Sequence, residues 1–454
     1  MAMGKRRKGQ RQEDLWVPTG RLVQTPGHVF YDRLNEVLAR GRFDARVEHL
    51  CRRYYQGPKG RPSIAPGVYF RMLLVGFFEG IESERGIAWR VADSLSLRKF
   101  LGYGLDETTP DHSTLSRTRR LMWLSTHQAV FDWVLKLLES EGLVRGKTVS
   151  VDATTLEANA AMRTIVRRDT GEVYEVYLKG LAEQAGMENP SREQLARFDR
   201  KRKKKASNKD WKNPHDPDAR ITKMKDGRTH LAHKAEHAVD LDTGALLAVT
   251  LQPADVGDTT TIYETLDAAE AAVGKLDEAR KITEVVVDKG YHSADVMVGL
   301  KERGLRSYAS EPVRGRQRWE GKEAEQAAVY ANRRRLRGAR NKRLQKKRAE
   351  LGERTHAHLY ETGGMRRLHL RGRENILKRL VIQGAGLNLA LLLRRTLGAG
   401  TPRALQGLLR GLLDAWRRSV HAGTASEHAR SGSTLRCGYP SPLTTLCRLL
   451  PTTA

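Results

Sequence analysis

The chain has 454 residues, 81 Lys and Arg against 53 Asp and Glu, a formal net charge of +28, and three cysteines. A hydrophobic fraction of 39% with seven Trp excludes a disordered tail protein, and the length suggests two or three folded units. No run of ~18 uninterrupted apolar residues marks a membrane span, and no apolar run follows the charged amino terminus, MAMGKRRKGQRQEDLW. That terminus therefore lacks the pattern of a secretory signal. Cys51, Cys437 and Cys447 have no metal spacing and leave an odd thiol, so disulfides and zinc are not expected and a cytoplasmic setting is. The charge points to a polyanion, nucleic acid first. A GC-rich genome that favours surface Arg is the bland alternative, but the charge here is clustered.

Residues 1–60 read as a basic amino-terminal segment with a helix near 30–55. Residues 61–143 read as helical. Pro62 and Pro66 precede the apolar run 68–78, amphipathic stretches follow at 83–94 and 96–101, and Asp111 caps a helix that contains Arg117, Arg119 and Arg120. Residues 121–141 continue with apolar positions at helical spacing, including Trp123, Phe131, Val134 and Leu137. Short helices ending in an Arg-rich one resemble a helix-turn-helix DNA reader; a plain helical bundle fits the same pattern.

The pattern changes at Lys147. Thr148-Val149-Ser150-Val151 is a buried strand closed by Asp152. The basic stretch 163–220, with Lys201-Arg202-Lys203-Lys204-Lys205, reads as an exposed insertion or mobile loop. Strands at 231–239 and 245–251 flank the turn Asp242-Thr243-Gly244 and form a hairpin. A helix at 262–273 leads to the strand 281–288, in which Val285-Val286-Val287 ends on Asp288. A helix at 294–303 and a strand at 305–309 complete a mixed α/β domain. A second basic insertion, 312–351, carries a helix over 326–351 with Gly352 as its cap. A short helix at 353–361 ends at Gly363-Gly364, and 375–395 is an apolar helix packed on the sheet. Residues 397–454 read as a loosely ordered tail.

Asp152 and Asp288 each end an apolar strand, so both carboxylates project at the sheet rim, where α/β sites tend to lie. A lone strand-end Asp is usually a cap. Two on neighbouring strands can share Mg²⁺, which takes a few carboxylate oxygens and keeps its waters. With a third acid, two ions can sit ~3.5–4 Å apart for in-line displacement at phosphorus. His230, His233 and His237 lie on a strand, where His233 and His237 share a face and His230 points away, so zinc is not expected there.

Three strings carry a resemblance: Val149-Ser150-Val151-Asp152-Ala153-Thr154-Thr155, Val287-Asp288-Lys289-Gly290-Tyr291, and the run from Glu353-Arg354-Thr355-His356 to Gly363-Gly364-Met365-Arg366-Arg367. With Pro110-Asp111-His112-Ser113-Thr114-Leu115-Ser116-Arg117, they resemble bacterial insertion-sequence transposases of the DDE superfamily, over residues 25–396. The resemblance implies a ribonuclease H-like catalytic domain at 144–396 behind an all-helical, DNA-binding amino-terminal domain. It implies Asp152 and Asp288 as the first two catalytic and metal-binding acids and Glu353 as the third, with Glu361 and Glu374 as rivals. The cofactor it implies is Mg²⁺ or Mn²⁺, as two ions, and the partners are double-stranded DNA at the element ends and at the target, with a homodimer on DNA.

The activity it implies is binding of terminal inverted repeats, metal-dependent cleavage and strand transfer. A ribonuclease H-like nuclease without strand transfer and an inactive DNA-binding relic remain open. Relatives show a Tyr-x2-Arg-x3-Glu-x6-Lys pattern around the third acid; here Lys346, Ala349 and Tyr360 occupy those places. The basic residues Arg333, Arg334, Arg335, Arg337, Arg340, Lys342, Arg343, Lys346, Lys347 and Arg348 are expected to clamp DNA phosphates beside the acids, along with Arg117, Arg119 and Arg120.

Overall fold

A computed structural model describes residues 28–55, 63–203, 206–224, 226–313, 315, 317–411 and 413. Seven helices come first: α1 (Val29–Arg40), α2 (Phe43–Cys51), α3 (Pro66–Phe78), α4 (Glu84–Asp93), α5 (Leu95–Leu101), α6 (His112–Leu121) and α7 (Leu124–Ser140). Their starts follow local chemistry. Pro66 sits at the first position of α3, where its missing N–H costs nothing. Ser83, Ser94 and Asp111 accept from the backbone N–H of Gly86, Leu97 and Thr114 at 3.1, 3.3 and 2.8 Å, which satisfies otherwise orphaned donors. The expected helix near 30–55 is two helices, because Gly41 and Arg42 break it and Arg42 adopts a left-handed backbone (φ 52°).

The sheet then forms from β1 (Thr148–Glu157), β4 (Arg220–Lys223), β5 (Thr229–Asp240), β6 (Leu246–Pro253), β7 (Glu284–Val287) and β8 (Arg306–Ala309). A two-stranded pair, β2 (Val166–Arg167) and β3 (Trp211–Lys212), stands apart. The order across the main sheet is β4-β5-β1-β7-β8, with β6 also on β5. β5 runs antiparallel to β1, β4 and β6, whereas β1, β7 and β8 are mutually parallel. The helices of this part are α8 (Tyr174–Gln184), α9 (Arg192–Lys201), α10 (Asp258–Leu276), α11 (Ala294–Glu302), α12 (Glu323–Leu336), α13 (Ala339–His356) and α14 (Arg373–Leu397). A π-helical turn, Ala357–Thr362, follows α13 directly.

The chain is thus mixed α/β, with a mostly helical amino-terminal part and a mixed sheet. A continuous core runs from Phe30 in α1 through the sheet to Leu405. α14 joins the two parts: it packs on α3 and α7 and on β6. It is apolar and long enough to cross a membrane, but 89% of its apolar window is buried inside the protein.

Three expectations change. Residues 163–220 are not a bare loop: α8, α9 and β3 form a small lobe in which Trp211 packs edge-on against Tyr174 and Tyr177 at 4.9 and 5.2 Å. Leu178, Ala182 and Leu195 bury a second small cluster there. Few apolar residues suffice because three are large aromatics, each removing much surface from water. The helix expected over 326–351 is two helices, with Gly338 at the start of the second. Gly352 is not a cap: α13 runs through it to His356, so no separate helix starts at Glu353. Of the tail, residues 402–411 are helical; residues 414–454, like 1–27 and 56–62, lie outside the described residues.

Candidate active site

β1 and β7 pair in parallel through Thr148↔Glu284, Val149↔Val285 and Ser150↔Val286. Two residues further on, Asp152 comes level with Asp288. Adjacent strands are ~4.8 Å apart, so the two acids leave neighbouring strands at one height. Asp152 does not end its strand, as the short apolar run suggested. β1 continues to Glu157 against β5, and only its parallel ladder stops at Ser150. Side chains alternate along a strand. Val286 faces a cluster with Leu344 of α13, so Ser150 and Asp152, on the matching face, look toward α13 as well.

Asp288 lies just beyond β7. Its Oδ1 accepts from Gly290 N at 2.8 Å, which turns the chain sharply. Gly290 also separates two carboxylates: a Cβ there would lie 2.9 Å from Asp258 Oδ2 and 3.1 Å from Asp288 Oδ1. Asp258, the first residue of α10, is held by Lys234 Nζ at 3.0 Å. Lys234 is buried and also donates to Val256 O and Thr261 Oγ1.

α13 crosses the other side of Asp152. A methyl group on Gly352 would sit 3.5 Å from Asp152 Oδ2, and His356 Nε2 lies 3.3 Å from the same oxygen. Asp152 Oδ1 accepts from Ala153 N at 3.0 Å. Burial pushes the Asp152 carboxyl up; the His356 hydrogen bond and charge, Arg348 and the Ala153 amide outweigh it and hold it below the usual carboxylate range. Glu353 is exposed on α13, one residue after Gly352, and makes no ion pair among the described residues. Its rivals are engaged elsewhere: Glu361 with Arg366 and Glu374 with Lys378, each at 2.8 Å.

Two buried devices were not anticipated. His237, opposite Asp152 on β5, stacks on His356 at 4.9 Å between ring centroids and bonds the Tyr360 hydroxyl at 2.5 Å. Burial, then the His356 charge, hold its pKa well below the usual value. Glu236, on the opposite face, accepts from Thr261, Thr265 and Tyr291, and Tyr291 closes the turn that begins at Asp288. Burial pushes the Glu236 carboxyl up against those hydrogen bonds and Lys234. The string Asp288-Lys289-Gly290-Tyr291 contained the signal for the second device; nothing local links His237 to residues 356 and 360.

A transposase domain model (DUF772) matches residues 19–121, and a transposase DDE domain model matches residues 196–389. Together they cover more than half of the chain. The chain belongs to the insertion-sequence DDE transposases. No curated protein and no solved structure matches it. The DDE match contains Asp288 and Glu353, while Asp152 lies between the two matched segments. Membership implies nuclease and transferase chemistry on DNA with divalent metal ions.

The donors suit such ions. Asp152, Asp288, Asp258 and Glu353 offer hard carboxylate oxygens, as Mg²⁺ and Mn²⁺ prefer. Among the described residues no three His, Cys, Asp or Glu side chains come together closely enough to hold a metal ion. Mg²⁺ needs only one or two protein carboxylates and keeps several waters, so an open rim of acids is compatible with it.

The basic residues of this transposase divide into two sets. Arg119 is buried, ion-paired with Glu84 and bonded to Asn375 Oδ1, so it is removed from the expected DNA contacts; Arg117 and Arg120 are exposed. Arg333 is paired with Glu311 and Arg340 with Glu284, and Arg335 donates to Ser307 O. Arg335 and Arg340 pin α12 and α13 to the sheet, and Arg333 ties α12 to the segment that leaves β8. Arg348 donates to Gln345 and lies near Asp152, and Lys347 pairs with Asp242. Arg334, Arg337, Lys342, Arg343 and Lys346 remain exposed. Lys342, Lys346 and Glu353 recur at spacings of four and seven, so they share one face of α13.

Proposed function

We propose that the chain binds the terminal inverted repeats of its element, cleaves the DNA ends and joins the freed 3′-hydroxyls to target DNA. The observation that carries this reading is the parallel register that brings Asp152 level with Asp288 under α13. The strand order, antiparallel on one side of β1 and parallel on the other, supports reading the sheet as ribonuclease H-like. Asp152 and Asp288 would hold the metal, with Glu353 as third acid on the helix that touches Asp152. Mg²⁺ or Mn²⁺, as two ions, would supply activation of the attacking oxygen and neutralisation of charge at phosphorus.

The chain's own groups do the rest. His356 and the Ala153 amide orient the Asp152 carboxylate, and Glu236, through Tyr291, fixes the turn that aims Asp288. Lys342, Arg343 and Lys346 draw phosphates to the face that carries Glu353. In the helical part, Arg117 and Arg120, exposed on α6, would contact the repeat. Joining two ends requires two active sites, which favours a homodimer on DNA.

The test uses labelled duplexes carrying the element ends, a supercoiled target and Mg²⁺. Joined product from the parent and none from Asp288→Ala, with DNA binding retained by both, is the expected result. Cleavage without joining by the parent would replace the reading with a nuclease; cutting by Asp288→Ala at the parental rate would overturn the metal assignment.

A further inference from the structure

A cleft of about 720 Å³ lies between α2, α7 and the carboxyl end of α10. One wall is the α2 face of Arg42, Arg46 and His49; the other is the α7 face that includes Asp132 and Lys136. Spacings of three, four and seven put each set on a single helix face. Lys275 closes the end and is bound to Asp132 at 2.7 Å. Among the described residues Arg42, Arg46 and Lys136 have no ion-pair partner, so one carboxylate faces four cations.

The amino terminus of α2 opens here as well. Its N-cap is Arg42, which has no side-chain acceptor, and the cap hydrogen bond is missing. A cation at an uncapped helix start is the opposite of the usual arrangement, and Arg42 holds it in a left-handed backbone. The one acid in the first turn, Asp44, is turned away to Arg71. The Gly41–Arg42 corner is fixed from α7, where Trp133 Nε1 donates to Gly41 O at 3.2 Å. Free helix N–H groups and unpaired guanidinium and ammonium groups facing one cleft form an anion site.

This cleft is not the candidate active site. α10 begins at Asp258, beside the Asp288 turn, and Lys275 lies 17 residues further on. At 1.5 Å per residue the two are about 25 Å apart. An open cleft of this kind suits a rod of phosphates better than a small buried anion.

We propose that the α2–α7–α10 cleft is a second DNA-backbone site, which holds duplex phosphates about 25 Å from the catalytic carboxylates and reads no sequence. The inference rests on the transposase reading for the identity of the anion. Each phosphate contact changes the slope of log K against log salt by about 0.9.

The experiment measures duplex binding by the full chain at several salt concentrations. Three proteins are compared: the parent, the triple variant Arg42→Gln/Arg46→Gln/Lys136→Gln, and Asp132→Asn. The triple variant should reduce the slope by about 2 to 3 and bind at least tenfold more weakly at 0.1 M salt, equally for element-end and unrelated duplexes. Asp132→Asn frees Lys275 and should bind more tightly than the parent with a steeper slope. Arg42, Arg46 and Lys136 are exposed and Asp132 is partly buried, and unchanged circular dichroism verifies folding. If the parent binds duplex and both variants keep its slope, the cleft assignment is overturned while the transposase reading stands. If the parent binds no duplex at all, both fall.

Discussion

Asp152 and Asp288 differ from Glu353 in how they are held. The aspartates come from adjacent parallel strands, and backbone register alone sets them level. Glu353, the proposed third acid, is exposed on α13, a helix docked on the sheet by side chains. That docking rests on Arg340 against buried Glu284 and on the stack of His237, His356 and Tyr360, while Arg335 against Ser307 holds the neighbouring α12. Strand-borne acids are therefore robust to changes outside the strands, whereas the helix-borne acid depends on packing far from itself.

The sharpest way to break the contrast is to remove one acid of each kind. Asp288→Ala should cost about 10³-fold or more in metal-dependent cleavage, with DNA binding kept. Glu353→Gln should cost about 10²- to 10³-fold, and Mn²⁺ titration followed by electron paramagnetic resonance should show weaker binding in both. Cleavage by Glu353→Gln at the parental rate would transfer the third role to another acid.

A smaller effect tests the docking. Arg340→Ala leaves the Glu284 carboxylate with only Thr148 and Tyr308 as hydroxyl partners. Because the Arg340 head is half exposed, the loss should be about 1–3 kcal/mol rather than that of a fully buried pair. It is read as a lower midpoint in denaturant, and cleavage should fall further than Mn²⁺ affinity, since the aspartates keep their register.

A comparable pH effect belongs to the helical part, away from the acids. His127 on α7 is buried, bonded to Tyr69 and Trp123 O, and burial lowers its pKa to about 4. The unfolded chain takes up a proton near pH 6.5 that the fold resists until about 4, so stability falls as pH drops through that window, by ~3 kcal/mol. His127→Asn should flatten the pH dependence of unfolding between pH 6.5 and 4; an unchanged slope would remove His127 as its source.

The smallest effect separates positioning charges from structural ones. Lys342→Ala and Lys346→Ala should each reduce the salt slope of DNA binding by about 0.9 without changing the unfolding midpoint. If either lowers the midpoint by as much as Arg340→Ala does, its charge supports the fold instead.

Much of the site was legible because it follows local rules. Val285-Val286-Val287-Asp288 announces a buried strand with an acid beyond it, and Thr148-Val149-Ser150-Val151-Asp152 announces a buried strand that carries an acid, although not that the strand runs on to Glu157. The hairpin at Asp242-Thr243-Gly244 follows from turn chemistry, with Gly244 at φ +81°. The lobe at 163–220 is not legible in the sequence because its polar composition masks Tyr174, Tyr177 and Trp211, which meet only in three dimensions.

The sequence by itself determined the two strand aspartates, the alternation of helical and α/β segments, and an excess of cations that demands an anion. Those are properties of short segments and of sums. Tertiary structure alone decided which cations are free: Arg119 and Arg340 look like their neighbours in the chain, yet each faces a carboxylate from another element, Glu84 partly and Glu284 fully buried. It also decided that Gly352 lies inside a helix that passes beside Asp152 rather than capping one, and that His237 meets His356 and Tyr360. Such partners are separated by tens to hundreds of residues, and no local pattern records them.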